Sequence, residues 1–413
     1  MPQSKSLALK CLSLCLGLSA LSLLGADAQP PANKPLPGHS FHGEVFDEGP
    51  RQKAYLLGTT GNVHFPVTTK NPVAQQFFDQ GVGQLHGFWY YEAERSFRQA
   101  AVLDPDCGMA YWGMAQANLN NDKRAKGFMA EAVKRKAGLT ERERLYIDAL
   151  DAWFNKAQSG KNKERGEAYV KALEQLLYKF PDDIEARSLL ALQIWKNRDA
   201  GIQITSHLAI DALQDQVFKV NPMHPTHHYR IHLWDSQHSE NALKSAALCG
   251  QSAPGIAHMW HMPGHIYSDL KRYGDAAWQQ EASGRVDHAY MVRDGILPDQ
   301  IHNYAHNQEW LIRNLNHIGR VRDAIVMAKN QIEIPRHPKY NTLNKGTAHY
   351  GRQRLFETLN RYELWDELIA LCQARHLEPT DDETQQIVRL RHLGRAYFRS
   401  GDSTNGQVVL VDL

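Results

Sequence analysis

Helical apolar spacing dominates the chain from about Val73 to Ser400. Apolar residues recur there every three to four positions, and no convincing run of alternating, β-branched residues interrupts them. A strand needs a period of two, and a helix needs a period of 3.6. The spacing therefore predicts an all-α protein over most of the 413 residues.

Recurring alanines and prolines divide this helical region into units. Ala93 precedes Pro105 by twelve positions, and Ala242 precedes Pro254 by the same interval. Ala276 then follows Ala242 by 34 positions. A small residue in the second helix and a proline at the turn are typical of stacked helix–turn–helix repeats, so these intervals predict such a stack.

The segment 258–277, HMWHMPGHIYSDLKRYGDAA, fits the first helix of one unit. Trp260, Gly264 and Tyr267 match the pattern W-x2-L-G-x2-Y, with Pro263 in place of the leucine. Over about residues 73–402 the chain resembles the tetratricopeptide-repeat family. The segments HMPGHIY and HYRIH also resemble a bacterial subgroup of repeat proteins with HMPSHIF-type segments. The resemblance implies a tetratricopeptide-like solenoid of helical hairpins, a right-handed superhelix with a concave surface, and says more about fold than about activity.

The N-terminus has the features of a signal peptide. Residues 1–28 contain two lysines, the apolar stretch CLSLCLGLSALSLLG and a small-residue ADA before Gln29. An uncleaved anchor is the alternative, but the stretch is shorter than the roughly twenty residues of a membrane span. We expect an exported, periplasmic or secreted protein without a transmembrane span in the mature chain. Residues 29–70 are expected to form an extended or loosely docked leader, residues 71–402 the repeat domain, and residues 403–413 a C-terminal tail.

Composition and motifs exclude several classes of function. The formal net charge is +2 and no long basic block is present, so a nucleic-acid partner is not indicated. Phosphate-binding loops, nucleophile elbows and H-E-x-x-H motifs are missing from the sequence. The mature chain would keep Cys107, Cys249 and Cys372, which are widely spaced and odd in number, and each is expected to be a buried apolar side chain.

The histidines are the unusual feature of the repeat region. Eleven of the 21 lie between His224 and His306. At 100° per residue, His258, His261 and His265 form one stripe on their helix, roughly opposite its packing positions. We therefore expect them to lie off the core face of that helix.

Histidines one helical turn apart can hold one metal ion. The sequence contains three such pairs on helices that the repeat would place side by side: His228 with His232, His261 with His265, and His302 with His306. Zinc suits imidazole and carboxylate ligands, and copper is the alternative because Met259 and Met262 adjoin the cluster. The predicted oxygen ligands or supporting partners are Asp235, Asp287 and Glu309.

Three interpretations of the histidines remain open at this stage. The favoured one is an exported binding or scaffold protein, whose concave face, about residues 224–313, takes a protein, peptide or small polar ligand. Its contact residues would be Tyr229, His258, Tyr304, Glu309, Trp310 and Arg313. The second is a zinc- or copper-binding protein, or a metal-dependent hydrolase with the six paired histidines as ligands. The third is a purely structural role, with the imidazoles bonded to acidic and aromatic neighbours.

Overall fold

The computed structural model describes residues 53–155, 162–298, 301–338 and 341–413. These residues contain eighteen α-helices. Their bounds are α1 Pro72–His86, α2 Tyr90–Leu103, α3 Gly108–Gln116, α4 Asp122–Arg135, α5 Glu141–Asn155, α6 Asn162–Lys179, α7 Ile184–Lys196, α8 His207–Val220, α9 His227–Trp234, α10 Leu243–Ser252, α11 Ala257–Asp269, α12 Tyr273–Asp294, α13 His302–His317, α14 Val321–Glu333, α15 Thr347–Arg361, α16 Trp365–Cys372, α17 Glu383–Ser400 and α18 Ser403–Asp412.

Consecutive helices pack in pairs, α1 with α2 through α17 with α18. The first helix of a pair also contacts the first helix of the next pair along the series α7, α9, α11, α13, α15 and α17. Among the described residues there is no β-strand, only two isolated bridges in the connection between α14 and α15. The prediction of an all-α, tetratricopeptide-like solenoid of helical hairpins is confirmed.

Five hairpin turns share one local geometry. In each turn one residue has a left-handed backbone, and the N–H of the next residue donates to a main-chain oxygen five positions back, as from Trp89 to Gln84 at 2.9 Å. This is the hydrogen bond that closes a Schellman motif at a helix C-terminus. The left-handed residues are Phe88, Lys271, Gly319, Glu363 and Gly401.

The alanines that suggested a repeat mark close helix contacts. Ala93, Ala276 and Ala324 lie in the first turns of α2, α12 and α14 and are 0% exposed. A larger side chain there would separate the two helices of the hairpin. Ala242, just before α10, is equally buried.

The segment before α1 contains no helix over residues 53–71. It is nevertheless anchored, because Phe65 is 0% exposed and its ring lies 4.8 Å from that of Tyr146 and 5.3 Å from that of Phe78. At the other end, residues 403–412 form α18 and bury Val409 against Gly394. The C-terminal stretch is thus a packed helix.

The predicted signal peptide and residues 29–52 of the predicted leader lie outside the described residues. No helix in the described ranges is both long enough and apolar enough to cross a lipid bilayer. Cys107, Cys249 and Cys372 are buried free thiols, as the sequence predicts. Burial raises the pKa of the Cys107 and Cys372 thiols to about 11, so they remain protonated.

One long-range contact positions the candidate site. The turn between α1 and α2 lies against helices that come more than a hundred residues later in the chain. The Phe88 ring is 4.3 Å from the His228 ring in α9, and the Trp89 ring is 4.9 Å from the Tyr290 ring in α12. The first hairpin thereby covers the histidines of α9 and α11.

Candidate metal and ligand site

The first histidine triad joins α9 to α11. It consists of His228 and His232, one turn apart in α9, and His258 at the start of α11. Each offers one ring nitrogen, and the three nitrogens lie within 4.8 Å of one another. The i, i+4 pair in α9 is the predicted one, but its third member comes from a different helix.

In His228 and His232, the ring nitrogen Nδ1 lies against an oxygen atom. His228 Nδ1 lies 2.6 Å from the main-chain oxygen of His86, and His232 Nδ1 lies 3.3 Å from a carboxylate oxygen of Asp235. Because these oxygens only accept, each Nδ1 carries the proton and each Nε2 presents a lone pair. Within the described part of the chain, both Nε2 atoms are buried without a hydrogen-bond partner.

An amide supports the third imidazole. His258 Nδ1 lies 3.1 Å from Asn303 Oδ1 in α13. The orientation of that amide is set by its nitrogen, which donates to Asp287 Oδ2 at 2.7 Å. All three rings of the first triad are therefore held at Nδ1 by an oxygen, the arrangement that fixes histidine ligands in metal sites.

Phe88 covers the first triad from the α1–α2 turn. Its ring stacks on His232 at 5.5 Å and on His258 at 6.0 Å. Its backbone φ is +56°, in a region that bulky residues rarely adopt and that costs about 1–2 kcal/mol. The surrounding packing therefore holds the residue in an unfavourable conformation that places an aromatic ring over the imidazoles.

The second triad joins α11 to α13. His261 and His265 lie one turn apart in α11, and His306 comes from α13. The Nε2 atoms of His261 and His265 are 2.9 Å apart. The His306 ring lies 4.9 Å from the His261 ring and 6.2 Å from the His265 ring.

Two amides fix the tautomer of His261. Its Nδ1 lies 2.8 Å from Gln280 Oε1 and 3.0 Å from Asn307 Oδ1. Gln280 Nε2 donates to the His261 main-chain oxygen, and Asn307 Nδ2 donates to that of Gln280, so both side-chain oxygens must face the ring. His261 consequently donates from Nδ1, and its Nε2 accepts the hydrogen bond that His265 Nε2 donates at 2.9 Å.

Burial keeps members of both triads neutral. Desolvation, followed by the neighbouring His232, lowers the pKa of His228 well below its ordinary value. Desolvation and then His261 lower the pKa of His265 in the same way. A neutral imidazole is the form that binds metal ions.

The two triads adjoin each other. His258 and His261, from different triads but the same helix, have ring centroids 5.7 Å apart. Between the triads and the α1–α2 turn lies a pocket of about 260 Å³, whose lining includes His232, His258 and His306. The pocket therefore gives a small molecule access to histidines of both triads.

A third cluster is buried and fully bonded. Glu185 accepts from His86 Nε2 at 2.8 Å through one carboxylate oxygen and from His224 Nε2 at 2.9 Å through the other. The remaining ring nitrogens bond Tyr229 and Thr226. Burial raises the pKa of the Glu185 carboxyl, but the His224 and His86 imidazoles outweigh burial and hold that pKa below its usual range. All donors are used, so this cluster ties α1, α7 and α9 together.

Of the six predicted contact residues, two are buried and four are half-buried. Tyr229 is 2% exposed and bonded to His86, and Glu309 is 4% exposed and paired with Arg354, so neither faces an open surface. Tyr304, Trp310 and Arg313 are half-buried. The Arg313 guanidinium lies 4.0 Å over the Trp310 ring.

Several details differ from the sequence-based expectation. His261 is 0% exposed, so it is part of the interior although it lies off the predicted packing face of α11. Met259 and Met262 pack in the apolar core. In agreement with the first-helix pattern, Pro263 lies inside α11, which begins at Ala257. His302 begins α13, and its side chain lies outside the described residues, so the third predicted pair stays a prediction.

Sequence reasoning missed five supporting residues: His86, Phe88, Gln280, Asn303 and Asn307. His86 lies in the segment GVGQLHG, and only its position next to α9 shows that its main-chain oxygen holds His228. Phe88 and Gln280 likewise act through tertiary contacts. The one available signal was local: Phe88 follows Gly87 at the end of a helix pattern, which indicates a turn.

No protein-family model and no curated protein matches the chain. Among solved structures, the P58(IPK) TPR domain is 14% identical with a TM-score of 0.21, and the match covers 80% of this chain and 99% of that one. An IFIT1 monomeric mutant with Gppp-AAAA is 13% identical with a TM-score of 0.30, covering 82% of this chain and 62% of that one. The human IFIT1 dimer with m7Gppp-AAAA is 14% identical with a TM-score of 0.24, covering 84% and 90%.

Proposed function

We propose that this helical-repeat protein binds transition-metal ions, zinc or copper, at its two histidine triads. The carrying observation is the pair of buried Nε2 atoms of His228 and His232, which lack a hydrogen-bond partner within the described residues while both Nδ1 atoms are held by oxygen. A buried polar atom without a partner is costly, by about 1–3 kcal/mol, and a metal ion would satisfy both lone pairs.

The spacing in the second triad supports the same assignment. Zinc–nitrogen bonds of about 2.0–2.1 Å place two tetrahedral ligands roughly 3.3 Å apart. The His261 and His265 Nε2 atoms are 2.9 Å apart and share a hydrogen bond, so an ion would replace the proton between them after a small movement of the rings. Three imidazoles leave one coordination position for water or a substrate, as in zinc enzymes.

Elemental analysis of the protein, purified without an affinity tag or chelator, tests the proposal. We expect close to two zinc or copper ions per chain. His228→Gln with His232→Gln should remove one ion, and His261→Gln with His265→Gln the other. His288→Gln, at an exposed position in α12, is the matched control and should keep both. Wild-type protein that takes up no ion after reconstitution would refute metal binding.

Binding of a protein or peptide is the second candidate. It is supported by Trp310, whose half-buried ring carries the Arg313 guanidinium at 4.0 Å, an amphipathic pair suited to a polar chain. Trp310→Ala should then weaken capture of the partner in a pulldown from the native host. Unchanged capture would remove this surface from consideration.

Export is proposed from the sequence of residues 1–28. The N-terminal residue of the protein recovered from the periplasm or medium tests it. We expect Gln29, and recovery only from the cytoplasm with Met1 intact would contradict export.

A further inference from the structure

Four arginines near the C-terminal end of the helical stack lack an acidic partner. Neighbouring arginines have one: Arg320 lies 2.6 Å from Asp323 in the same helix. Within the described residues, none of the four forms an ion pair with a carboxylate. They lie on the first helices of three successive hairpins and are Arg313 in α13, Arg361 in α15, and Arg391 and Arg395 in α17.

Contacts between the helices place these arginines along one surface, which we call the arginine strip. Arg361 Nη2 donates to His317 Nδ1 at 3.3 Å and joins α15 to α13. The preceding residue, Asn360, donates from Nδ2 to His392 Nδ1 at 2.9 Å and joins α15 to α17. The strip is therefore continuous from α13 to α17.

The two histidines of the strip respond to its positive charge. Desolvation, followed by the charges of Arg361 and Arg313, lowers the pKa of His317. Burial, followed by the charges of the two α17 arginines, lowers the pKa of His392 to about 4. The positive charge of the strip thus acts at both contacts between helices.

Carboxylates beside the strip already have partners. They are Glu357, which pairs with Arg354, Glu363, which pairs with Arg399 at 3.0 Å, and Asp269, which accepts from Ser239 at 3.0 Å. Positive charge is consequently in excess on this surface, although the formal net charge of the whole chain is only +2.

Uncharged neighbours orient the guanidinium groups. Arg313 lies 4.0 Å over the ring of Trp310, and Arg395 lies 5.7 Å over the ring of Trp365. These contacts leave the charge of each arginine uncompensated while they restrict its side chain. An oriented guanidinium loses less conformational freedom when it binds an anion.

The length of the strip exceeds that of a small anion. Packed helices lie about 8–10 Å apart, so α13 and α17, with α15 between them, are separated by about 16–20 Å. An extended chain rises about 3.3 Å per residue, so about six residues would cross the strip. Acidic side chains of such a segment would meet arginines from all three helices.

Aromatic rings favour a peptide over a nucleic acid. Proteins that bind single-stranded nucleic acids combine positive charge with aromatic rings on which the bases stack. Beside the strip, guanidinium groups already lie over the rings of Trp310 and Trp365. Carboxylates need no such stacking, and they pair well with the planar guanidinium group.

We propose that the arginine strip binds an extended, acidic peptide segment of about six residues through its carboxylates. This inference goes beyond the proposed metal sites and does not depend on them. The arginines are spread over three helices, so an internal segment of a partner protein would serve as well as its terminus.

Fluorescence anisotropy with a labelled hexaglutamate peptide, amidated at its C-terminus, tests the proposal. Hexaglutamine with the same label and amidated end is the uncharged control. At low ionic strength we expect hexaglutamate to bind at least ten-fold more tightly. Added salt should weaken its binding, because exposed charges are screened. Equal affinities for the two peptides would overturn the proposal.

Paired substitutions locate the binding surface. Arg361→Gln combined with Arg391→Gln should weaken hexaglutamate binding at least five-fold, since each exposed ion pair contributes a few-fold in affinity. Arg285→Gln combined with Arg322→Gln removes the same charge from exposed positions in α12 and α14. This control should change the affinity less than two-fold. Equal losses in the two double variants would refute the strip.

Two further measurements separate the alternatives. A six-nucleotide oligothymidylate that binds more tightly than hexaglutamate would overturn the assignment to a peptide. Hexaglutamate binding that persists in the presence of a chelator supports the strip, even if elemental analysis finds no metal. Loss of binding in the chelator would assign the carboxylates to the metal ions and refute the strip.

Discussion

The Nδ1 atom of His261 in α11 lies 2.8 Å from Oε1 of Gln280 in α12. Gln280 is 0% exposed and is held in turn by its own bond to the His261 main-chain oxygen. Together with Asn307, the glutamine thus determines which ring nitrogen of His261 carries the proton. It is the kind of supporting contact on which metal affinity depends.

Gly264 permits this contact. A Cβ atom at Gly264 would lie 2.0 Å from Gln280 Nε2, so Gly264→Ala must displace the amide. We predict a 10- to 100-fold loss of affinity for one metal ion, because removal of an outer hydrogen bond typically has that effect. Isothermal titration with zinc measures it.

Gly274→Ala is the control for that substitution. Gly274 also lies in a helix, but a Cβ atom there meets nothing within 4 Å. Its metal affinity should remain that of the wild type. Equal affinities in the two variants would show that Gln280 does not support the site.

Glu185 should be a large contributor to stability. Glu185→Ala leaves two buried imidazoles, those of His86 and His224, without their acceptor. Since each unsatisfied buried group costs about 1–3 kcal/mol, we predict a loss of about 3–5 kcal/mol in the free energy of unfolding. Urea denaturation measures it. Glu167→Ala, which removes an exposed ion pair with Lys163, should change the free energy of unfolding by less than about 0.5 kcal/mol.

Phe65 should anchor the segment that precedes α1. Phe65→Ala removes a fully buried ring from between Phe78 and Tyr146, and we predict a destabilisation of about 3–5 kcal/mol. Leu56→Ala, at 46% exposure in the same segment, should have little effect. Thermal unfolding compares the two. Similar melting temperatures would mean that the segment is only loosely docked.

The metal-free protein should lose stability as the pH falls from 6.5 to about 5. Burial lowers the pKa of His227 and of His392 to about 4, so the folded protein keeps them neutral while the unfolded chain takes up protons near pH 6.5. Because the unfolded state then binds more protons, acid lowers the free energy of unfolding, by about 1.4 kcal/mol per pH unit for each such histidine. Asp287, with a pKa raised to about 7, acts in the opposite direction and offsets the contribution of about one histidine to the pH dependence of stability.

Urea denaturation at pH 7.5, 6 and 5, in the presence of a chelator, measures this dependence. His227→Gln should reduce the slope of stability against pH by about one proton. A flat profile, or greater stability in acid, would contradict the assignment of buried neutral histidines.

The sequence by itself determined the class of fold and the local chemistry of two helices. A period of 3.6 and small residues at regular intervals specify paired helices, because both are properties of a single helix surface. The same geometry predicted that His228 and His232, and His261 and His265, would each share one helix face. Those contacts span four residues and need no tertiary information.

Only the tertiary structure decided which histidines complete each triad. His258 belongs to the α11 stripe by sequence but joins the pair of α9, and His306 joins the pair of α11. The main-chain oxygen of His86 and the ring of Phe88 arrive from about 140 residues away. Their placement depends on how successive hairpins stack, which is set by packing between helices rather than by the periodicity of any one of them.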